Sequence, residues 1–121
     1  MAIKKILIVD DSPTDRQHLT DILSKGGYAV TTAASAEEGI AKVKQTRPDL
    51  VLMDVVLPGH NGYQATRELS KDEATKNIPV ILCTSKSQET DKVWGMRQGA
   101  RDYVTKPVNG AELLKKISAL G

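Results

Sequence analysis

Asp10-Asp11, Asp54, Thr84 and Lys106 each directly follow a short run of apolar or β-branched residues, and together they supply three carboxylates, a hydroxyl and an ammonium. Two carboxylates about 4 Å apart repel by roughly 4 kcal/mol at an effective dielectric of about 20. A cluster of three therefore needs a bound cation or a raised pKa. All-oxygen donors with room for water suit magnesium, with manganese possible. One cysteine and two histidines offer no Cys/His set that would favour zinc. Such an ion beside a lysine makes a cradle for a phosphoryl group, neutralising its oxygens from two sides. A carboxylate inside that cradle can attack phosphorus and become an aspartyl phosphate.

Taken singly, each of these residues has a plainer reading. Asp10-Asp11 before Ser12-Pro13 is helix-start chemistry that complements the dipole, Asp54 a turn residue, Thr84 a helix cap and Lys106 a solvated charge. Their joint placement at four strand ends is what favours function, and it depends on the elements around them. Ile6 to Val9 reads as a strand buried on both faces, and Ser12 and Pro13 open a helix with an apolar stripe of Leu19, Ile22 and Leu23 that Gly26-Gly27 stops. Tyr28 to Ala33 is a second strand; Ser35 with Glu38 forms a capping box, opening a helix with Ile40 and Val43 that ends before Pro48. Leu50 to Met53 runs into Asp54, and a Pro58-Gly59 turn leads to a helix with Tyr63, Thr66 and Leu69. Ile78 to Cys83 ends at Thr84, a fourth helix covers Glu89 to Gln98, and Arg101 to Thr105 precedes Lys106-Pro107. Leu113, Leu114, Ile117 and Leu120 line a last amphipathic helix.

Five strand-helix units in alternation demand right-handed crossovers and a parallel sheet covered on both faces, a doubly wound α/β fold. Ligands of such sheets bind beyond the carboxyl ends of the strands, where these five residues stand. The chain has 121 residues, with 40% hydrophobic and 26% charged residues, an ordinary globular composition. No linker or low-complexity tract divides it, so residues 1–121 are expected to form one domain. Three Tyr, one Trp and no Phe make the core aliphatic. A net charge of +2, with basic and acidic residues interleaved, gives no sign of a nucleic-acid partner. Lone Cys83 cannot pair within the chain, and the four apolar residues after Lys4-Lys5 are too few for a signal core or a membrane span. A cytoplasmic protein without membrane insertion is the expectation.

The combination of ILIVDDS, DLVLMDVVLPGHNG, Thr84-Ser85 and DYVTKPV closely resembles the CheY-like receiver domains of two-component response regulators over essentially the whole chain. The resemblance implies a flavodoxin-like sheet of order 2-1-3-4-5 flanked by five helices. It also implies that Asp54 is the phosphoacceptor, that Asp11, Asp54 and the Val56 carbonyl ligate Mg²⁺, and that Asp10 holds the ion through water. By the same resemblance Lys106 contacts the phosphoryl group, Thr84 closes onto it, Tyr103 is the aromatic switch and the Lys106-Pro107 bond is cis. The partners implied are a histidine kinase or its phosphotransfer domain, and a protein effector on the face built by the fourth predicted helix, the fifth strand and the last helix. The protein is then a phosphoacceptor with intrinsic self-phosphotransfer and self-dephosphorylation rather than an enzyme.

More narrowly, Gln88 to Val108 resembles the stand-alone receivers of pilus chemosensory systems that control type IV pilus twitching motility. Val56 and Lys86 depart from the polar or acidic residues that the family often carries at those positions, so phosphate lifetime does not carry over. His18 and His60 lack metal-binding companions and read as solvated bystanders. Trp94 and Met96 suit packing or a partner contact equally, and Lys115-Lys116 reads as the wet face of the last helix. A second reading is a phosphate sink that drains the kinase without a dedicated effector. A dinucleotide-binding enzyme is disfavoured, because the first strand-helix turn is DDSPTD instead of a glycine fingerprint.

Overall fold

In the computed structural model, which describes residues 3–57, 61–84, 93 and 96–120, strands and helices alternate as expected. They are β1 (Lys5–Val9), α1 (Pro13–Lys25), β2 (Ala29–Ala33), α2 (Ala36–Thr46), β3 (Leu50–Asp54), α3 (Gly62–Lys71), β4 (Val80–Thr84), β5 (Asp102–Thr105) and α4 (Gly110–Leu120). The strands pair in parallel in the order β2-β1-β3-β4-β5. The helix expected over 89–98 lies mostly outside the described residues, although Val93, Met96 and Arg97 are helical. The expectations for Pro58-Gly59, His60, Lys86 and Trp94 also fall outside them. No described helix is long and apolar enough to cross a membrane.

Side chains alternate across each strand, and here both faces are apolar. Leu7, Val9, Val51, Met53, Val80 and Leu82 face Val43 of α2 and Ala65 and Leu69 of α3, while Ile6, Ile8, Leu50, Leu52, Ile81, Cys83 and Val104 face Leu19 and Leu23 of α1 and Leu113 and Ile117 of α4. The sheet is thus the shared wall of two aliphatic layers, and its strand ends cannot shift without disturbing both. Burial pushes the Cys83 thiol up to about 12, so it packs as a small apolar group.

Local chemistry sets the boundaries. Ser12 caps α1 by accepting the Asp15 N–H at 3.2 Å, with Pro13 in the first turn. Gly27 then reverses the chain at φ 90°, where only glycine is unstrained. Tyr28 stays out of β2 because its N–H closes the helix end on the Leu23 carbonyl at 3.0 Å. Ile78 stays out of β4 because its N–H bonds Thr75 at 3.0 Å and Pro79, which has no N–H, follows. Ser35 caps α2, but Glu38 reaches back to the N–H of Ala34 rather than of Ser35, so the expected capping box is displaced by one residue. A reciprocal box forms instead at α3 between Asn61 and Gln64.

Candidate functional site

Parallel register decides which residues meet at the carboxyl edge of the sheet. Val9 lies opposite Met53, so Asp10 leaves β1 beside Asp54; Asp54 pairs with Cys83, and Thr84 with Thr105, so Lys106 leaves β5 next to the end of β4. The Lys106 N–H donates to the Thr84 carbonyl at 2.7 Å, and the Lys106-Pro107 bond is cis. Two helices fix the carboxylates from behind. The Ser12 N–H donates to Asp10 Oδ1 at 2.9 Å, and Arg16 Nη1 donates to the Asp10 carbonyl at 2.8 Å. At α3, a Cβ on Gly62 would fall 2.1 Å from the Asp54 carbonyl oxygen, so only glycine lets that helix begin directly against the strand end.

The result is a dense and mostly buried set of charges. Asp10, Asp11 and Asp54 bring carboxylate oxygens within 4.8 Å of one another, with Asp10 and Asp54 buried and Asp11 exposed. Lys106 Nζ lies 2.9 Å from Asp10 Oδ2, 3.0 Å from Asp15 Oδ2 and 3.4 Å from Asp54 Oδ2. Burial, and then the charge of Asp10, raise the Asp54 pKa from 3.8 to about 6, against the pull of Lys106 and of the hydrogen-bonding Val56 N–H. Burial alone would lower the Lys106 pKa, but its bonds to Asp10 and Asp15 and the charge of Asp54 outweigh that and hold the ammonium above the ordinary lysine value. The donor set fits a hard divalent cation. Its ligands are all carboxylate oxygen, their charge exceeds what one lysine offsets, and exposed Asp11 leaves the mouth open to water ligands.

This arrangement is built to receive a cation and an anionic group at the end of β3, and the sequence carries a matching family signature: residues 6–118 match the response regulator receiver domain. The chain belongs to the response regulator receiver family. It is 59% identical to the protein PilH of Pseudomonas aeruginosa over 96% of each chain. Its fold superposes on that of the chemotaxis protein CheY4 of Vibrio cholerae with a TM-score of 0.91, at 32% identity, covering 99% of this chain and all of that one. The receiver domain of the sensor histidine kinase PA1611 of Pseudomonas aeruginosa PAO1 matches with a TM-score of 0.88 at 32% identity, covering 98% and 97% of the two chains. That structure holds a magnesium ion coordinated in the active-site cleft.

In this receiver the fold brings Asp10, Asp11, Asp54 and Lys106 together as the sequence implied. Thr84 is buried at the end of β4, while Val56 projects its side chain into solvent at 69% exposure. Tyr103 lies deeper in the sheet, paired with Leu82 and half-buried. Three contacts were not anticipated. Asp15, in sequence only the last acid of the DDSPTD turn, stands in the first turn of α1 and brings its carboxylate 3.0 Å from Lys106 Nζ. Lys116 is not simply a wet lysine, because its Nζ meets Asp102 at 3.1 Å and sits 5.2 Å from the Tyr103 ring centroid. His18 is exposed but no bystander, since its Nε2 lies 3.0 Å from the Val108 carbonyl and ties α1 to the segment after β5. Met96, at 45% exposure, is on the surface rather than in the core.

Proposed function

We propose that this receiver takes a phosphoryl group onto Asp54 from a histidine kinase or its phosphotransfer domain, and that the modification changes which protein it binds. The observation that carries this reading is the buried Asp54 carboxylate, within a three-carboxylate cluster and 3.4 Å from Lys106 Nζ. Asp10, Asp11 and Asp54, with the Val56 carbonyl, would hold Mg²⁺, and Mn²⁺ suits the same donors. When bound, the ion supplies positive charge beside the phosphoryl oxygens.

An Asp54 oxygen attacks phosphorus in line with the departing group, and the bond from phosphorus to the donor histidine nitrogen breaks with its electron pair left on the imidazole. Small phosphorylated donors react the same way, which makes the transfer intrinsic to the receiver. Lys106 turns its ammonium onto the new phosphoryl oxygens, and the Thr84 hydroxyl donates to another. Tyr103 follows Thr84, since β4 and β5 are paired at both residues, and the face around β5 and α4 is altered for an effector. Water attacking the acyl phosphate returns the carboxylate and inorganic phosphate, closing the cycle. The 59% identity to PilH supports placing the chain, in the cytoplasm, in control of type IV pilus twitching motility.

Incubation with Mg²⁺ and acetyl phosphate followed by intact mass tests the chemistry. The expected result is one added phosphoryl group in the wild type, and none in Asp54→Asn or when divalent ions are chelated. An equal increment in Asp54→Asn would overturn the assignment.

A further inference from the structure

Among the described residues, the Lys106 ammonium has three carboxylate neighbours and three protons to give. Asp10, at 2.9 Å, is almost wholly buried and also holds the Ser12 N–H, so releasing it would strand a charge in the core. Asp54, at 3.4 Å, is the group that is modified. Asp15, at 3.0 Å, has a side chain 42% exposed and can pass into water at little cost. Its backbone is meanwhile anchored, because its N–H donates to Ser12 Oγ at 3.2 Å. Charge counting points the same way. A divalent ion and Lys106 against four carboxylates leave one negative charge over, and exchanging the Asp54 carboxylate for a phosphoryl dianion adds another.

We propose that Asp15 is a positioning residue that competes with the phosphoryl group for Lys106, a carboxylate latch on α1 that holds the ammonium in the resting receiver and must release it when Asp54 is modified. The latch rests on Asp54 being the phosphoacceptor. It acts through Lys106 and not on the metal, and it sets how strongly the resting state resists the phosphorylated one.

The test is titration of Mg²⁺-loaded protein with beryllofluoride, which occupies the place of a phosphoryl group on a carboxylate. It compares wild type, Asp15→Asn and Asp15→Glu, with the thermal midpoint of each recorded without the analogue. Asp15→Asn should tighten beryllofluoride binding about two- to fivefold, the scale of a partly exposed ion pair, while Asp15→Glu should bind as the wild type does. In a Lys106→Ala background the same Asp15→Asn change should have no further effect on affinity. Unchanged or weaker binding by Asp15→Asn, with only a lowered midpoint, would show that Asp15 merely complements the α1 dipole and would overturn the latch. Tightening that persists without Lys106 would also overturn it, since the effect would then be long-range charge. Equal binding by wild type and Asp54→Asn would instead overturn the phosphoacceptor reading on which the latch depends.

Discussion

Asp49 and Asp54 flank β3, one just before its first residue and the other ending it, and the fold treats them in opposite ways. Asp49 Oδ2 accepts the N–H groups of Lys4 and Lys5, both at 2.9 Å, and those two bonds hold its carboxyl below the usual aspartate value. Asp54 is buried beside Asp10, and its pKa rises to about 6. Five residues apart, one carboxylate tethers β1 to β3 and the other, among the described residues, is crowded by two further carboxylates with one lysine ammonium close by. A satisfied carboxylate stabilises the fold, whereas a buried and crowded one with a raised pKa is the mark of a candidate functional group. The difference teaches where stability has been traded for chemistry.

The largest effect should come from Lys106→Ala. Removing the Lys106 ammonium, 2.9 Å from Asp10 and 3.4 Å from Asp54, takes an ion-pair partner from two buried carboxylates, and loss of one partner from a buried pair costs about 3 kcal/mol or more. Denaturant unfolding without divalent ions should show that loss, and saturating Mg²⁺ should recover much of it. Next is Asp11→Ala. Because Asp11 is exposed, the fold should hold while Mg²⁺ affinity falls by at least the roughly 10–100-fold that loss of a supporting partner costs; unchanged affinity in a Mg²⁺ titration would break the site assignment. The smallest effect belongs to Asp49→Asn, about 1 kcal/mol from weakening two hydrogen bonds to a charged acceptor. Its sign with pH follows from the depressed pKa: the contribution is present above 3.8 and fades as pH falls through the lower folded value. Asp49→Asn and wild type should therefore converge in stability in acid, with no response to Mg²⁺ beyond that of the wild type.

The elements and their order were legible because each apolar run is short, bounded and followed by a helix start, so that Ile6 to Val9 and Leu50 to Met53 admit little else. The convergence of Asp10, Asp54 and Lys106 was legible for the same reason, since a parallel sheet gathers strand ends on one edge. What escaped were contacts between elements that no period encodes. Asp15, Lys116 and His18 each look like solvated residues of a helix, and only the packing of α1 and α4 against the sheet turns them toward Lys106, Tyr103 and the Val108 carbonyl. The displaced cap at Ala34 escaped because Ser35 and Glu38 carry the right spacing for a box, and the choice between neighbouring N–H groups lies in the backbone geometry. Gly62 stood within the matched motif, but its purpose shows only in the 2.1 Å approach a side chain would make to Asp54.

The most direct test of the crowded carboxylate is the unfolding free energy of wild type and Asp54→Asn, followed from pH 4 to 8 without divalent ions and again with saturating Mg²⁺. The folded pKa of about 6 lies above the ordinary 3.8, so protonated Asp54 contributes stability that is fully present below 3.8 and is lost as pH rises through 6. The two proteins should be alike near pH 4, and at pH 7 without divalent ions Asp54→Asn should be the more stable, by up to about 3 kcal/mol before solvent screening reduces it. Mg²⁺ should then stabilise the wild type far more than the variant and reverse the order. An Asp54→Asn protein that is less stable than wild type at pH 7 in the absence of divalent ions would contradict the account.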